Sequence, residues 1–302
     1  KMEMQKVPAA GFEITGLPIR GFQRGKIMEN IGLPWRLLRS MVKARRIVRT
    51  FRPDVAVGTG GYASGPVLAA AQRAKVPTLI QEQNSHAGAT NRMLAKRAAA
   101  ICVAYPGMDR YFPKEKIHLT GNPVRQDMVR LAGKRERGFE HFGLKANAPV
   151  VLVTGGSLGA RGINRGIEAA LGAFKANGVQ LVWQTGTPFL DQAQRAVREA
   201  GYADAHVHEF IIRMDLAYAV ADVVVARAGA ISVSELCCTG LPSVLVPLPS
   251  AAEDHQTSNA RMLADRGAAV MEKDADAAGG LERDVLRLIA DPAERTRLGN
   301  AI

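Results

Sequence analysis

The chain has 302 residues, is 47% hydrophobic and carries a net charge of +12. This length and composition allow a sizeable buried core, which excludes a disordered protein and favours two domains over one. Its three cysteines, Cys102, Cys237 and Cys238, form neither an even framework nor a C-x-x-C pair, so a disulfide scaffold or cysteine zinc site is not predicted. No stretch is apolar enough to span a bilayer, which predicts a soluble or peripheral protein in a reducing compartment.

Most of the positive charge lies between Arg20 and Arg52, where the single acid is Glu29. The basic residues are Arg20, Arg24, Lys26, Arg36, Arg39, Lys43, Arg45, Arg46, Arg49 and Arg52. Apolar residues interleave with them, among them Trp35, Leu38 and Met41. This pattern predicts a patch that binds an anionic lipid surface.

Helical spacing in the same segment also predicts a face that packs on a sheet, formed by Leu37, Met41, Ala44, Val48 and Phe51. The two interpretations are compatible. Nucleic acid is a weaker candidate partner, because the segment has no series of aromatic residues for base stacking.

The first half of the chain predicts an alternation of strands and helices. Strands are predicted at 53–58, 77–81, 100–104 and 117–120, and helices at 64–73 and 89–97. Residues 131–148 are charged and are predicted to connect the two domains, 1–130 and 149–302. In the second domain strands are predicted at 149–154, 181–184, 207–210, 223–226, 243–247 and 268–271. Alternating strands and helices indicate an α/β fold built on doubly wound parallel sheets.

Three glycine-rich turns each follow a predicted strand, at 58–65, 155–160 and 227–232. A turn between a strand and a helix presents backbone N–H groups and the positive end of the helix, which suits phosphate. One such turn is weak evidence for a phosphate site, since a turn between a strand and a helix often needs glycine only to adopt a positive φ angle. A dinucleotide fingerprint is disfavoured, because the G-x-G-x-x-G spacing fails and no acid follows the strand at 181–184.

Two further positions have side chains suited to a nucleotide sugar. Glu235 follows the third turn by one helical turn, where a carboxylate accepts hydrogen bonds from two ribose hydroxyls. Gln256, in Asp254-His255-Gln256, has an amide that suits sugar hydroxyls, and His255 can titrate near neutrality. An isolated Glu or His is more often structural.

Six runs, taken together, resemble the MurG family of peptidoglycan N-acetylglucosaminyltransferases. They occur in the family's order and approximate spacing along essentially the whole chain. The runs are GGYASGP at 60–66, EQN at 82–84, GNPVR at 121–125, GGSLGA at 155–160, ADVVVARAGA at 221–230 and DHQ at 254–256.

The resemblance implies a glycosyltransferase-B fold, with two Rossmann-like domains facing a cleft. The donor would be UDP-N-acetylglucosamine, bound mainly by the second domain. The acceptor would be undecaprenyl-diphospho-N-acetylmuramoyl-pentapeptide, reached by the first domain from the cytoplasmic face of the bacterial inner membrane. The protein would be a peripheral enzyme of cell-wall synthesis.

The resemblance also assigns residues. Ser157 and the backbone of Gly229, Ala230, Ile231, Ser232, Val233 and Ser234 would hold the donor diphosphate, Glu235 the ribose, Ile211 the uracil and Gln256 the sugar. Asn84 and Arg125 would complete the donor site. Gly60, Gly61, Tyr62 and Ser64 would face the acceptor diphosphate.

The implied reaction is an inverting displacement by the acceptor 4-hydroxyl, which needs a base and stabilisation of the departing UDP. No cofactor and no metal are predicted, and Asp274-Ala-Asp276 is interpreted as solvated surface. The family's first glycine-rich turn carries the proposed histidine base. We expect that turn to precede Lys1, and expect further helices after Ile302, so the base is not assigned and activity of this chain is in doubt.

Two departures from the family pattern accompany this. Ile212 and Arg213 replace acidic residues after Phe210-Ile211, and Cys237-Cys238 replace small residues and are expected to pack as small apolar side chains. Two alternatives remain: a UDP-N-acetylglucosamine 2-epimerase, which shares the architecture, and a truncated nucleotide-sugar binder without catalysis.

Overall fold

A computed structural model describes residues 3–19, 32–251 and 254–302, which form two compact α/β units, 1–121 and 122–302. The described helices of the first unit are α1 (Glu3–Ala9), α2 (Leu33–Phe51), α3 (Gly61–Arg73) and α4 (Ala89–Ala95). Those of the second unit are α5 (Gln126–Val129), α6 (Arg135–Phe142), α7 (Arg161–Ala176), α8 (Leu190–Glu199), α9 (Met214–Val220), α10 (Ala230–Thr239), α11 (His255–Ala264), α12 (Ala277–Ala290) and α13 (Pro292–Ala301).

The first unit contains a parallel sheet whose four described strands lie in sequence order. They are β1 (Ala56–Gly58), β2 (Thr78–Glu82), β3 (Ala100–Val103) and β4 (Ile117–Leu119). Ser40, Ala44 and Val48 form the buried stripe of α2, and Ala44 and Val48 pack with Ala70 and Ala71 of α3. The predicted packing face of α2 is therefore confirmed at Ala44 and Val48. It is wrong at Leu37 and Phe51, which are exposed.

The second unit contains a six-stranded parallel sheet in the order β10-β9-β8-β5-β6-β7. Its strands are β5 (Val150–Thr154), β6 (Gln180–Gln184), β7 (Ala205–His208), β8 (Val223–Ala226), β9 (Ser243–Leu245) and β10 (Val270–Met271). The strand order reverses between β5 and β8, which are paired neighbours. In open α/β sheets ligands bind outside the carboxyl ends of the strands at such a switch point.

Burial explains which strands the sequence predicted well. Every residue of β5, β6 and β8 is buried, so these strands are covered on both faces. Their sequences are apolar except for Thr154, which ends β5, and Gln180 and Gln184, at the two ends of β6. Strand β7 lies at the edge of the sheet and is only partly buried, so His206 and His208 are tolerated there. The predicted strand at 207–210 is consequently displaced by two residues from β7.

The division between the units differs from the predicted connection at 131–148. That segment contains α6 and lies inside the second unit, because Phe142 and Leu144 are part of its core, as is Met128 of α5. The charges that suggested a linker have partners in the same unit: Lys134 pairs with Asp215 and Arg135 with Asp222.

Helices α7 and α12 pack closely in the second unit because Gly166 lacks a side chain. A Cβ at Gly166 would lie 2.5 Å from the Ala277 carbonyl oxygen and 2.9 Å from Leu281 Cδ1. At Gly172, on the same helix, a Cβ would meet nothing within 4 Å.

We therefore predict opposite effects of two Gly→Ala substitutions in α7. Gly166→Ala should lower the free energy of unfolding by roughly 1 to 3 kcal/mol, because α12 must move. Gly172→Ala should raise it by up to about 1 kcal/mol through helix propensity. Urea denaturation of both variants checks this, and equal effects would contradict the close packing.

Candidate functional site: the carboxyl edges of the two sheets

The third glycine turn joins β8 to α10 at the switch point of the second sheet. Gly229 has φ −66° and ψ 148°, an extended conformation open to any residue. A Cβ there would meet only Ser232 Oγ, at 4.0 Å. Glycine at this position is therefore not required by the backbone, and what it provides is an uncovered backbone that a ligand can approach closely.

The start of α10 limits which backbone groups can bind a ligand. The Val233 N–H already donates to the Gly229 carbonyl, at 2.9 Å, and the Val233 side chain is fully buried. The orphan N–H groups at the helix start are those of Gly229, the N-cap residue, and of Ala230, Ile231 and Ser232. Within the predicted segment 229–234, four backbone N–H groups are therefore open to a ligand, whereas the Val233 N–H is already used inside the helix.

Glu235 lies on α10 with its carboxylate held by a buried tyrosine. The Tyr218 hydroxyl, on α9, donates to Glu235 Oε2 at 3.0 Å. Burial raises the pKa of Glu235, while the Tyr218 hydrogen bond and the charge of Arg125 oppose the rise. Burial also raises the pKa of Tyr218, with Glu235 adding to it. The carboxylate is thereby fixed in one position, a role for Tyr218 that the sequence did not predict.

The segment after β4 packs onto the same helix. Asn122 Nδ2 donates to Ser234 Oγ at 2.9 Å and to the Ala230 carbonyl at 3.4 Å, within the second unit. Ser234 Oγ itself donates to the Ala230 carbonyl at 2.9 Å. Ser234, predicted to contact diphosphate, is therefore a link between Asn122 and the helix start. An asparagine between Gly121 and Pro123 was the signal that the sequence offered for this link.

Arg125 follows on the same segment and is exposed, with its guanidinium on the Asp127 carboxylate. This hydrogen bond raises the pKa of Arg125 and lowers that of Asp127. Arg125 adds positive charge near Glu235. The negative charge of Glu235 in turn contributes to the raised pKa of Arg125. A donor diphosphate would have to compete with Asp127 for this guanidinium.

The second glycine turn joins β5 to α7 and leaves Ser157 exposed. Gly156 and Gly159 have φ +84° and +73°, and a Cβ at Gly159 would lie 1.8 Å from the Thr185 carbonyl oxygen. Gln184, at the end of β6, fixes the turn: its Nε2 donates to Thr154 Oγ1 at 3.2 Å and to the Gly156 carbonyl at 3.0 Å.

Ile211, predicted to hold a uracil, is a buried core residue. Its N–H donates to Gln184 Oε1 at 2.8 Å, so neither its side chain nor its N–H is open to a base. Gln184 therefore ties the 211 loop to the second turn. A polar side chain ending the apolar strand β6 was the missed signal. Arg213, one of the departures from the family pattern, pairs with Asp215 and lowers its pKa by a hydrogen bond.

Gln256 lies in the first turn of α11, and its Oε1 accepts from the Leu248 N–H at 3.0 Å. Asn259, one turn further on, is fully buried and donates to the Ala228 carbonyl at 3.2 Å. Helix α11 is thus attached to the third turn. Strand β8 lies between β5 and β9 in the sheet, so the segments carrying Ser157, Gly229 and Gln256 follow three adjacent strands.

Asp274 is not solvated surface, which corrects the prediction. Its Oδ1 lies 2.6 Å from an Arg227 guanidinium nitrogen, and Arg227 also donates to the carbonyls of Val246 and Pro247 at 3.1 Å. Arg227 begins the third turn, so its side chain connects the turn to the segment after β9 through these carbonyls and to the segment after β10 through Asp274. The expected packing of Cys237 and Cys238 is also wrong, since both are exposed.

In the first unit, the glycine turn after β1 begins α3. Gly60 and Gly61 have φ +82° and +74°, Ser64 Oγ donates to the Gly60 carbonyl at 2.5 Å, and Tyr62 is exposed. Gln83, after β2, donates to the Thr59 carbonyl at 2.9 Å, which brings the ends of the two strands together.

Asn84 lies in a turn that a buried carboxylate organises. Glu82 is 2% exposed and accepts from the Asn84 and Gly88 N–H groups at 3.1 and 3.0 Å and from Asn91 Nδ2 at 2.8 Å. Of the predicted donor residues, Asn84 belongs to the first unit and Arg125 to the second.

Helix α2 divides the predicted lipid patch between two faces. Trp35 and Leu38 are exposed and, with Val42, line a broad cavity of about 1250 Å³ that also contains Arg39, Lys43 and Arg46. Met41 is partly buried and lines a different cavity, with Leu37. The prediction that Met41 belongs to the lipid patch is therefore wrong. Arg20, Arg24, Lys26 and Glu29 lie outside the described residues.

Within the described residues, no helix is both long and apolar enough to cross a membrane. Across the same part of the chain no three His, Cys, Asp or Glu side chains are grouped as metal ligands would be.

Sequence comparison adds to this geometry. Residues 150–300 match the glycosyltransferase family 28 C-terminal domain, and residues 1–103 match its N-terminal domain. The chain belongs to glycosyltransferase family 28. A Parabacteroides distasonis relative is 51% identical over 96% of this chain and 79% of its own length, and one from Bacteroides thetaiotaomicron is 49% identical over 100% and 82%. Both carry the name UDP-N-acetylglucosamine--N-acetylmuramyl-(pentapeptide) pyrophosphoryl-undecaprenol N-acetylglucosamine transferase.

Solved structures place this family 28 member in the glycosyltransferase-B fold class, as predicted. Acinetobacter baumannii MurG has a TM-score of 0.74 and 30% identity, covering 99% of this chain and 82% of its own. The UDP-GlcNAc 2-epimerase from Neisseria meningitidis has a TM-score of 0.63 at 14% identity, over 90% of this chain and 78% of its own. The latter likeness concerns the fold alone.

The Tyr218–Glu235 pair predicts a pH dependence of nucleotide binding in this family 28 chain. A ribose needs the ionised carboxylate as acceptor, and burial raises the pKa of Glu235. UDP affinity should therefore fall as the pH is lowered, and the fall should begin at a pH above the usual pKa range of a glutamate. Tyr218→Phe removes a donor that favours the ionised form, so it should move this loss to higher pH and leave affinity at pH 8 nearly unchanged.

Calorimetric titration with UDP between pH 5 and 8 measures the shift. Tyr202→Phe is the matched control, because Tyr202 is also buried but donates to the Val179 carbonyl. Identical pH profiles for the two variants would contradict the positioning role of Tyr218.

Proposed function

We propose that this chain transfers N-acetylglucosamine from UDP-N-acetylglucosamine to the 4-hydroxyl of undecaprenyl-diphospho-N-acetylmuramoyl-pentapeptide, the lipid I to lipid II step of peptidoglycan synthesis. Two relatives that are about 50% identical to it over nearly the whole chain are named as N-acetylglucosamine transferases acting on the muramyl-(pentapeptide) pyrophosphoryl-undecaprenol acceptor. The structural observation that carries the proposal is the third turn, where the orphan N–H groups of the helix start lie one helical turn before an oriented Glu235.

The donor is held at the switch point of the second sheet. The N–H groups of Ala230, Ile231 and Ser232 bind its diphosphate at the positive end of α10. Glu235 accepts the ribose hydroxyls, one helical turn along. Ser157 of the second turn and the Nε2 of Gln256 are the remaining side-chain contacts, with the diphosphate and the sugar respectively.

The reaction inverts the configuration at the anomeric carbon. The acceptor 4-hydroxyl attacks that carbon, its proton passes to a base, and the bond to the UDP oxygen breaks with the electron pair leaving on the diphosphate. Negative charge therefore develops on the diphosphate as the bond breaks. The oriented N–H dipoles of α10 stabilise this charge better in the transition state than in the ground state, which is what accelerates departure.

The acceptor is bound by the first unit. The turn of Gly60, Gly61, Tyr62 and Ser64, at the start of α3, presents N–H groups to its diphosphate. The exposed Trp35, Leu38 and Val42 enter the interface of the cytoplasmic leaflet, and Arg39, Lys43 and Arg46 attract anionic headgroups at roughly 1 kcal/mol each. The protein is therefore a peripheral enzyme at that membrane.

Transfer of labelled N-acetylglucosamine separates this function from its alternatives. The proposal predicts that label from UDP-N-acetylglucosamine enters the lipid fraction only when the polyprenyl acceptor is present. Release of UDP and of free epimerised sugar without acceptor would indicate a 2-epimerase. Donor binding with no product in either fraction would indicate a binder without catalysis.

The lipid patch has its own test. Replacing Trp35, Leu38 and Val42 with Ser should reduce flotation with vesicles of phosphatidylglycerol, because three exposed apolar side chains are lost while every charge is kept. The matched control replaces Val55, Val57 and Leu119 with Ser, three comparably exposed residues of the same unit. Equal flotation of both variants would show that the α2 face is not the membrane surface.

A further inference from the structure

A second cavity of the first unit runs along one face of α3 and is separate from the lipid patch. It has a volume of about 670 Å³. Its lining on α3 includes Tyr62, Pro66, Ala69 and Arg73, residues three or four apart that share one helical face. The α3 groove, as we name this cavity, therefore follows the helix axis for about 16 Å between Tyr62 and Arg73.

The helices on either side supply mostly apolar walls. Leu37 and Met41 line the α3 groove from α2, and Met93 lines it from α4. Met93 is 72% exposed and Tyr62 is 54% exposed, which is uncommon for side chains of this size in a helical layer. Ile19 and Leu33 also line the α3 groove. The floor at Gly65, Pro66 and Ala69 carries no long side chain, so no described residue fills the groove.

Polarity changes along the α3 groove in a definite order. At one end lie Tyr62 and the start of α3, where Gly60 and Gly61 expose N–H groups to an anion. The middle is mostly apolar, and Gln72 and Thr90 are the polar residues that line it. At the other end Arg73 is exposed, and the exposed Lys96 and Arg97 follow α4. A ligand that matches this order has an anionic head and a long apolar tail. The basic residues at the far end suit the anionic headgroups among which such a tail enters a bilayer.

We infer that the α3 groove binds the first isoprenoid units of the polyprenyl-diphosphate acceptor. The diphosphate lies at the start of α3, and the tail runs along Pro66, Ala69 and Met93 before it enters the bilayer. Arg73, Lys96 and Arg97 lie where the tail leaves, and they pair with phosphate groups of the anionic leaflet. This inference rests on the proposed function, and it gives the groove a role different from that of Trp35 and Leu38, which contact bulk lipid.

A photoreactive polyprenyl diphosphate, with a diazirine on the third isoprene unit, tests the inference in detergent micelles. The inference predicts adducts on the α3 groove, at Met41 or Met93, located by mass spectrometry of peptides. Unlabelled polyprenyl diphosphate should suppress them and phosphatidylglycerol should not. Adducts confined to the face of Trp35 and Leu38, or equal suppression by phosphatidylglycerol, would overturn it.

Two variants make the test specific. Met93→Glu should lower the adduct yield at least about tenfold, because it places a charge in the apolar wall of the groove. Met93 is an exposed residue, so the variant should still fold. Leu119→Glu introduces the same charge at an exposed strand position of this unit outside the groove and should leave the yield unchanged. An unchanged yield for Met93→Glu would also overturn the inference.

The probe needs neither a donor nor transfer, so the groove and the proposed reaction fail separately. Groove labelling in a chain that does not transfer N-acetylglucosamine would keep the binding site and reject the reaction. Transfer without groove labelling would keep the reaction and reject the groove.

Discussion

The pairing of β5 with β8 is the constraint on which the donor site depends. These two strands are distant in sequence, hydrogen-bonded along their length and buried on both faces, so their carboxyl ends are fixed beside each other. The second and third glycine turns leave the sheet from those ends. Because parallel strands direct all their carboxyl ends to one edge, the same sheet also places the β9 segment and α11 there. The core thereby fixes the position of the turns at which we propose that the donor diphosphate binds.

Buried polar side chains then fix what the sheet has brought together. Gln184 joins the second turn to the 211 loop, Arg227 joins the third turn to β9 and Asp274, and Asn259 attaches α11 to the third turn. Each buried group would be costly if it lost its partner, so each holds its turn in one conformation. A preorganised turn stabilises developing charge without rearranging during the reaction, which links the stability of the second unit to catalysis.

Sequence patterns predicted the buried sheet well and the polar links poorly. Strands β5 and β8 are apolar runs that glycine-containing turns follow, and they were predicted to within a residue. Strand β7 has no such run, and the connection was misplaced because Lys134 and Arg135 have ion-pair partners some 80 residues away in sequence, at Asp215 and Asp222. A charge pattern does not show whether a charge is solvated or paired.

The same limit applies to individual site residues. Glu235 and Ser157 were predicted from motif positions; Ser157 lies in the second turn and Glu235 one helical turn into α10. Ile211 was predicted from the same resemblance, but its side chain is in the core, which spacing alone does not reveal. Tyr218 was missed because its hydroxyl reaches Glu235 from another helix, 17 residues away in sequence. Its apolar surroundings resemble those of any core tyrosine.

The ribose contact of Glu235 is the most direct test of the whole donor site. Calorimetric titration should compare UDP with a UDP analogue lacking both ribose hydroxyls, on the unmodified chain and on Glu235→Ala. Loss of the carboxylate should weaken UDP binding by about 1.5 to 3 kcal/mol, the usual range for a hydrogen bond to a charged group, and should leave binding of the analogue unchanged. Equal affinity of both proteins for UDP would contradict the placement of the nucleotide at the third turn.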